Sequence, residues 1–195
     1  YPCVTSSNTT VGGACIGSGV GALSLDYVLG ITKAYTTRVG EGAFPTELQD
    51  SDSKHLSAIG HEFGATTNRA RRCGWLDAPA LKRVVQANSI SAICLTKLDV
   101  LSGLDTLKVA IGYQDSKGKA IDCSFSNQQL AKAVPIYEEL PGWQEDIVGV
   151  KRLEDLPKAA IEYIYHIEHL IGVPITMIST GAEREHTIIL RNPFE

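Results

Sequence analysis

The segment from Asp155 to Ile178 constrains this chain more than any other: a capped amphipathic helix that stops and feeds at once into a short apolar run. Asp155 and Pro157 open the helix, Ala160, Ile161, Ile164, Ile167 and Ile171 recur on one face, and Gly172 and Pro174 end it. Ile175 to Ile178 then reads as a strand. The same order occurs earlier. Asp77 caps a helix with Pro79 in its first turn, Leu81, Val84 and Val85 mark its apolar face to about Asn88, and Ala92 to Thr96 follows as a buried-strand run. Helices that lead directly into buried strands predict an α/β architecture, a mostly parallel sheet flanked by helices. Lys108 to Tyr113, a turn at Asp115 to Lys119, and Ala120 to Phe125 add an antiparallel hairpin, and Thr187 to Leu190 reads as a last strand.

The remaining stretches carry weaker signals. Residues 5–21 are rich in Ser, Thr and Gly and predict loops around short extended pieces, while Leu23, Tyr27, Val28 and Ile31 recur at helical spacing towards Lys33. Arg38 to Asp52 reads as loop. With 195 residues, 44% hydrophobic, the chain has the apolar mass for one globular unit or part of a larger one. No run of some 18 apolar residues exists to span a bilayer, so no membrane partner is expected. A net charge of -4 gives no general attraction to a polyanion, and no nucleic-acid partner is expected either. Cys3, Cys15, Cys73, Cys94 and Cys123 lack C-x-x-C or zinc-like spacing, which favours reduced core thiols and a cytoplasmic setting. Tyr1 to Thr5 lacks the charged and apolar regions of a signal peptide and reads like a chain cut in mid-domain.

Three polar stretches carry chemistry. Thr96-Lys97-Leu98-Asp99 directly follows a predicted buried strand, and in open parallel sheets ligands collect beyond the carboxyl ends of strands. A carboxylate set edge-on to guanine accepts from N1–H and from the 2-amino group; adenine offers neither donor there. Two charged hydrogen bonds at roughly 1.5–3 kcal/mol each amount to a preference on the order of a hundredfold. The Lys97 stem could cover the base face. As a bare pattern, a Lys–Asp pair at a strand end accounts for the same residues. Ser179-Thr180-Gly181 ends a second strand and suits a base or ribose edge if the two strands are neighbours; alone it is an ordinary turn. In the loop Gly64 to Arg72, Arg69 and Arg71 share a face if the backbone is extended, a pair suited to carboxylates or phosphates, with Thr66 and Thr67 as hydroxyl donors. A solvated basic turn is the plainer alternative.

Other patterns carry less. Gly17 to Ala22 fits G-x-G-x-x-A without a hydrophobic strand before it, His61-Glu62 has no second His at zinc-protease offset, and His166 and His169 read as a structural or exposed pair. No G-x-x-x-x-G-K-[ST] loop occurs.

Taken together, Thr37-Arg38-Val39-Gly40, Phe44-Pro45-Thr46-Glu47-Leu48, Glu62-Phe63-Gly64-Ala65-Thr66-Thr67, Gly74-Trp75-Leu76-Asp77, Leu95-Thr96-Lys97-Leu98-Asp99, Pro141-Gly142-Trp143 and Ile178-Ser179-Thr180-Gly181 resemble adenylosuccinate synthetase, in order and along the whole chain. The resemblance is to the C-terminal half of a larger, P-loop-NTPase-like single-domain enzyme, so residues 1–195 are expected to be its C-terminal portion without the phosphate-loop portion. It implies GTP-dependent ligation of IMP and L-aspartate, with Mg2+ and GTP required and a homodimer as the full-length state. By matched motif, Arg71, Lys97, Leu98, Asp99, Ser179, Thr180 and Gly181 would serve GTP, and Thr5, Val39 and Arg69 would serve IMP. Ala65, Thr66, Thr67, Asn68, Arg69 and Arg71 would serve aspartate. The family's catalytic Asp and His and its metal ligands match no residue here, so no catalytic or metal-binding residue is expected in this chain, and it is expected to be inactive alone. Asn68 and Ala70 depart from the family's usual glycine and arginine. Asn tolerates left-handed backbone, so the turn can survive. Two alternatives stay open: a guanine-nucleotide switch protein, which shares T-K-x-D, and a non-catalytic folded fragment.

Overall fold

The computed structural model describes residues 8–64, 68–121, 127–192 and 194. In chain order the elements are α1 (Val11–Ser18), β1 (Leu29–Lys33), β2 (Thr36–Arg38), α2 (Ser51–Ile59), β3 (Arg72–Gly74), β4 (Leu76–Asp77), α3 (Ala78–Ala87) and β5 (Ala92–Thr96). They continue with β6 (Leu104–Gln114), β7 (Ala120–Ile121), α4 (Asn127–Leu130), β8 (Val134–Trp143), α5 (Lys158–Ile171), β9 (Ile175–Ser179) and β10 (Thr187–Ile189).

One sheet has the order β1-β5-β9-β10, with β1, β5 and β9 parallel and β10 antiparallel to β9. The expected α/β architecture is therefore present, and both helix-to-strand units fall where the sequence puts them. On α5, Ala160, Tyr163, Ile164, Ile167 and Ile171 are buried, at the spacing of one helical face. Gly172 ends the helix in left-handed backbone (φ 78°) and donates to the carbonyl of Glu168, whose own Oε1 accepts from the N–H of Ile175 at 2.6 Å. Helix end and strand start are thus tied together. On α3, Asp77 caps the N–H of Ala80 at 3.0 Å.

A second sheet is mainly antiparallel. β8 lies along β6 from Leu104↔Trp143 to Gln114↔Val134, β7 pairs with the end of β6, and β4 joins β6 in parallel. The expected hairpin forms as Ala120–Ile121, and residues 122–125 lie outside the described residues. Gly142 is dictated by this packing, since a Cβ there would fall 1.8 Å from the carbonyl oxygen of Leu104.

Two expectations are corrected. The helix expected from Leu23 to about Lys33 is a 3-10 turn (Ala22–Ser24) followed by strand β1. Pairing with β5 decides this, and Gly30 lets Ile90 and Ile93 approach so closely that a Cβ would meet them at 2.7 and 2.9 Å. Conversely, the loop expected over residues 5–21 contains α1, capped by Thr10 and closed by Gly19 at φ 74°. The Gly17 to Ala22 string therefore spans the end of a helix and the turn beyond it. Cys73 is buried and Cys15 and Cys94 are half-buried; all three are free thiols.

Tyr163 links the layers. Its ring is buried and meets Trp143 edge-on, and its hydroxyl donates to the carbonyl of Ala34 at 2.6 Å, just beyond β1. Tyr163→Phe leaves that carbonyl without a partner and is expected to cost about 1–2 kcal/mol. For a chain of this size that is a fall in Tm of roughly 2–8 °C, read by circular dichroism.

Candidate functional site

The site lies at the carboxyl ends of β5 and β9. Leu95 is in register with Ile178, so the turn beginning at Lys97 and the turn beginning at Ser179 leave adjacent parallel strands on the same side. The condition on which the sequence reading depended is therefore met.

Beyond β5 the chain enters a 3-10 turn, Leu98–Leu101, through Lys97 in left-handed backbone (φ 60°, ψ 35°), a costly conformation for a residue with a Cβ. Leu98, Val100 and Leu101 are buried and anchor the turn. Asp99 is half-buried, and its Oδ1 is shut off from solvent with no hydrogen-bond partner among the described residues. Burial pushes the Asp99 carboxyl above the usual range; its own backbone N–H, Lys97 and His186 pull against that, and Asp146 adds to it. The plainer reading, a Lys97–Asp99 ion pair, does not hold. The Lys97 ammonium turns away to Oε1 of Glu62 at 2.9 Å and to the carbonyl of Gly60.

The second turn is closed on itself. Ser179 Oγ donates to the carbonyl of Gly181 at 2.8 Å. The fully buried Thr180 hydroxyl bonds the carbonyls of Val150 (2.8 Å) and His186 (3.1 Å), so it holds the loop together. Gly181 packs against the His186 ring, where a Cβ would lie 2.5 Å from Nδ1, and that Nδ1 is another buried polar atom without a partner among the described residues. His186 carried no signal in the sequence, because only the return of the chain into β10 brings it here.

Arg71 reaches the same region from another direction. Its Nη1 donates to Oε2 of Glu62 at 2.9 Å, while Lys33 contacts both Glu62 oxygens at 2.8 Å and the Tyr35 hydroxyl donates at 2.6 Å. Glu62 is wholly buried. Burial alone would raise its carboxyl, and hydrogen bonds from Lys33, Lys97, Tyr35 and Arg71 overcome that and hold it at about 2. This hub is the residue that sequence reasoning missed, having weighed His61-Glu62 only as a protease motif.

Arg69 is exposed, and among the described residues none pairs with its side chain, so Arg69 and Arg71 have different surroundings. Asn68 is in left-handed backbone (φ 49°), the conformation that Asn tolerates. Val39 lies one residue beyond the Arg38↔Arg72 pair, at the same end of the β2–β3 ribbon as Arg71. Thr5, Ala65, Thr66 and Thr67 lie outside the described residues. Two surface grooves of about 310 and 440 Å³ are lined by other residues, around Lys82 and Arg83 and around Trp143 and Lys158. Among the described residues no three His, Cys, Asp or Glu side chains gather to hold a metal, and no helix is long and apolar enough to cross a membrane.

Fold and site together define an α/β protein with polar turns at the carboxyl ends of two adjacent parallel strands, β5 and β9. The adenylosuccinate synthetase family profile matches residues 1–188. The adenylosuccinate synthetases of Thioalkalivibrio sulfidiphilus and Chromohalobacter salexigens are each 61% identical to it over 100% of this chain and 45% of their own length. The fully ligated adenylosuccinate synthetase of Plasmodium falciparum superposes with a TM-score of 0.91 at 42% identity, over 97% of this chain and 46% of that one. The chain belongs to the adenylosuccinate synthetase family and spans about half the length of the curated relatives it matches. Membership favours the ligase family over a switch protein as the source of the T-K-x-D turn.

Proposed function

We propose that this chain carries the guanine-binding and aspartate-binding elements of a GTP-dependent ligase that joins IMP and L-aspartate into adenylosuccinate, releasing GDP and phosphate, in purine biosynthesis. The observation that carries the reading is the register of β5 with β9, which sets the half-buried Asp99 carboxylate, whose Oδ1 has no hydrogen-bond partner among the described residues, beside the Ser179 turn. A carboxylate at this strand end is an acceptor in want of donors, and the N1–H and 2-amino groups of guanine are donors that it can take.

In this reading IMP gives up its N1 proton, O6 attacks the γ-phosphorus of GTP, and GDP departs. The amine of aspartate then attacks C6, phosphate leaves with the former O6, and the amine gives up its proton. A phosphorylated oxygen leaves far more readily than an oxo group, which is why a nucleotide is consumed. Asp99 reads the base edge, Lys97 and Leu98 form the turn that presents it, and Ser179, Thr180 and Gly181 line the base from the neighbouring strand. Arg71 serves the GTP side and part of the aspartate site; Arg69 serves the IMP ribose and aspartate. Ala65, Thr66, Thr67 and Asn68 form the aspartate loop, and Thr5 and Val39 meet IMP. Mg2+ would offset phosphate charge, and no described residue of this chain is assigned to it. The full-length enzyme would be a cytoplasmic homodimer.

Titration of this chain with GDP and with ADP tests the reading. GDP is expected to bind on the order of a hundredfold more tightly, while a coupled assay of the chain alone is expected to detect no adenylosuccinate. Equal failure of both nucleotides would overturn the guanine reading.

A further inference from the structure

Glu62 stands where four parts of the chain meet. Lys33 ends β1, Tyr35 follows two residues later, Lys97 opens the base-reading turn, and Arg71 leads into β3. The backbone of Glu62 belongs to the same assembly. Its carbonyl accepts from the N–H of Arg71 at 2.8 Å, Phe63 bridges Ala70, and the N–H of Gly64 donates to the carbonyl of Arg69 at 2.8 Å. The passes 62–64 and 69–71 thus form a narrow antiparallel pair.

The carboxylate is over-subscribed. Oε1 takes Lys33, Tyr35 and Lys97, and Oε2 takes Lys33 and Arg71. That makes five contacts, where two carboxylate oxygens offer about four acceptor sites. Three cations share one buried anion, so each competes with the others for it.

We propose that Glu62 is a positioning residue that couples the base-reading turn at 97–99 to the pass carrying Arg71, through competition of Lys97, Lys33 and Arg71 for one carboxylate. An anion that draws the Arg71 guanidinium away frees Oε2; Lys33 shifts towards it, and Oε1 is left to Lys97 and Tyr35. The turn that presents Asp99 then tightens, so occupancy on the Arg71 side favours guanine binding. This functional consequence rests on the guanine reading above; the competition itself does not.

Amide hydrogen exchange of the intact chain tests the coupling without a ligand. The N–H groups of Val100 and Ser102 donate to the carbonyls of Lys97 and Asp99 and report on the turn, and the N–H of Arg71 reports on the other pass. Arg71→Met is expected to slow exchange at Val100 and Ser102 by about threefold or more, and Lys97→Met to slow it at Arg71 by a similar factor. In a Glu62→Gln background both effects are expected to vanish, and Glu62→Asp to restore them in part. Unchanged or faster exchange at Val100 and Ser102 in Arg71→Met overturns the proposal, and this arm decides even if Glu62→Gln does not fold. GDP and ADP titrations separate the two ideas. Preference for GDP without exchange coupling rejects the role of Glu62 and leaves the guanine reading standing, whereas exchange coupling without nucleotide binding does the reverse.

Discussion

Asp99→Asn is expected to weaken GDP binding by on the order of a hundredfold, leave ADP binding unchanged, and bring a xanthosine diphosphate into the range that GDP loses. The carboxylate accepts two hydrogen bonds from guanine; an amide of the same shape accepts one and turns its own N–H group towards a donor. Losing one charged bond and setting two donors against each other costs about 3 kcal/mol or more. Xanthine carries a carbonyl where guanine has its 2-amino group, so the amide N–H finds an acceptor there. Folding is expected to respond the other way. Burial already raises the carboxyl of Asp99, whose Oδ1 has no partner among the described residues, so a neutral amide removes a desolvated charge and should leave stability unchanged or slightly higher. Binding and folding effects of opposite sign distinguish a ligand-facing carboxylate from a structural one. Recognition also needs Asp99 ionised. Because its folded-state pKa lies above the ordinary value, GDP affinity of the parent chain should decline on acidification sooner than an unperturbed aspartate would allow, and Asp99→Asn should lack that dependence. Calorimetric titrations with the three nucleotides at several pH values decide it. Undiminished GDP affinity in the variant would remove Asp99 from the base-binding role.

The parts of this molecule that were legible in its sequence are those whose signals are local. The caps and apolar faces of α3 and α5 lie within single helices, and the strands β5 and β9 announce themselves as short apolar runs directly after them. β1 was misread because Leu23, Tyr27, Val28 and Ile31 fit helical spacing, whereas its extended form depends on a partner about sixty residues away, in the pairing Leu29↔Ala92. α1 was missed because Gly12 and Gly13 argue against a helix, and its start is held from outside by Asn88, whose Oδ1 accepts from the N–H of Val11 at 3.0 Å. β8 contains Pro135 and Pro141, tolerated because among the described residues only β6 pairs with it, and no local pattern announces such a strand. The site divides the same way. The Thr96 to Asp99 turn was readable as a strand end with polar residues, and Asn68 as a left-handed position. The adjacency of β5 and β9, the inward turn of Arg71 and the role of Glu62 were not, since Glu62 meets partners 29 and 35 residues away. A buried carboxylate shared by distant cations leaves no periodicity and no spacing to find.

Glu62 also sets the largest expected effect on stability. Glu62→Ala leaves Lys33, Arg71 and Lys97 facing one another without the anion they share, and breaking a buried ion cluster from one side typically costs about 3–5 kcal/mol. The three cations keep 26%, 29% and 33% of their side-chain surface exposed, so water screens part of their repulsion and the cost should fall near about 3 kcal/mol. The effect must depend on pH in a definite sense. The folded-state pKa of Glu62, about 2, lies below its ordinary value of 4.5. Its contribution is therefore complete above the ordinary value and is lost as pH falls through about 2, with a total of roughly 3 kcal/mol for a depression of that size. Asp77 and Asp99 act in the opposite direction. Burial raises both, so their ionised forms oppose folding near neutrality and acid relieves them, and the acid response of the parent chain is a difference between the two kinds of group. Comparing the parent with Glu62→Ala cancels the shared aspartates. In urea unfolding the two chains should differ by about 3 kcal/mol at pH 7 and converge as pH falls through about 2, where the parent's carboxyl itself becomes neutral. A difference that stays the same across that range would mean that Glu62 supports the fold by its shape and not by its charge, and the competition among its three cations would then have no anion to be about.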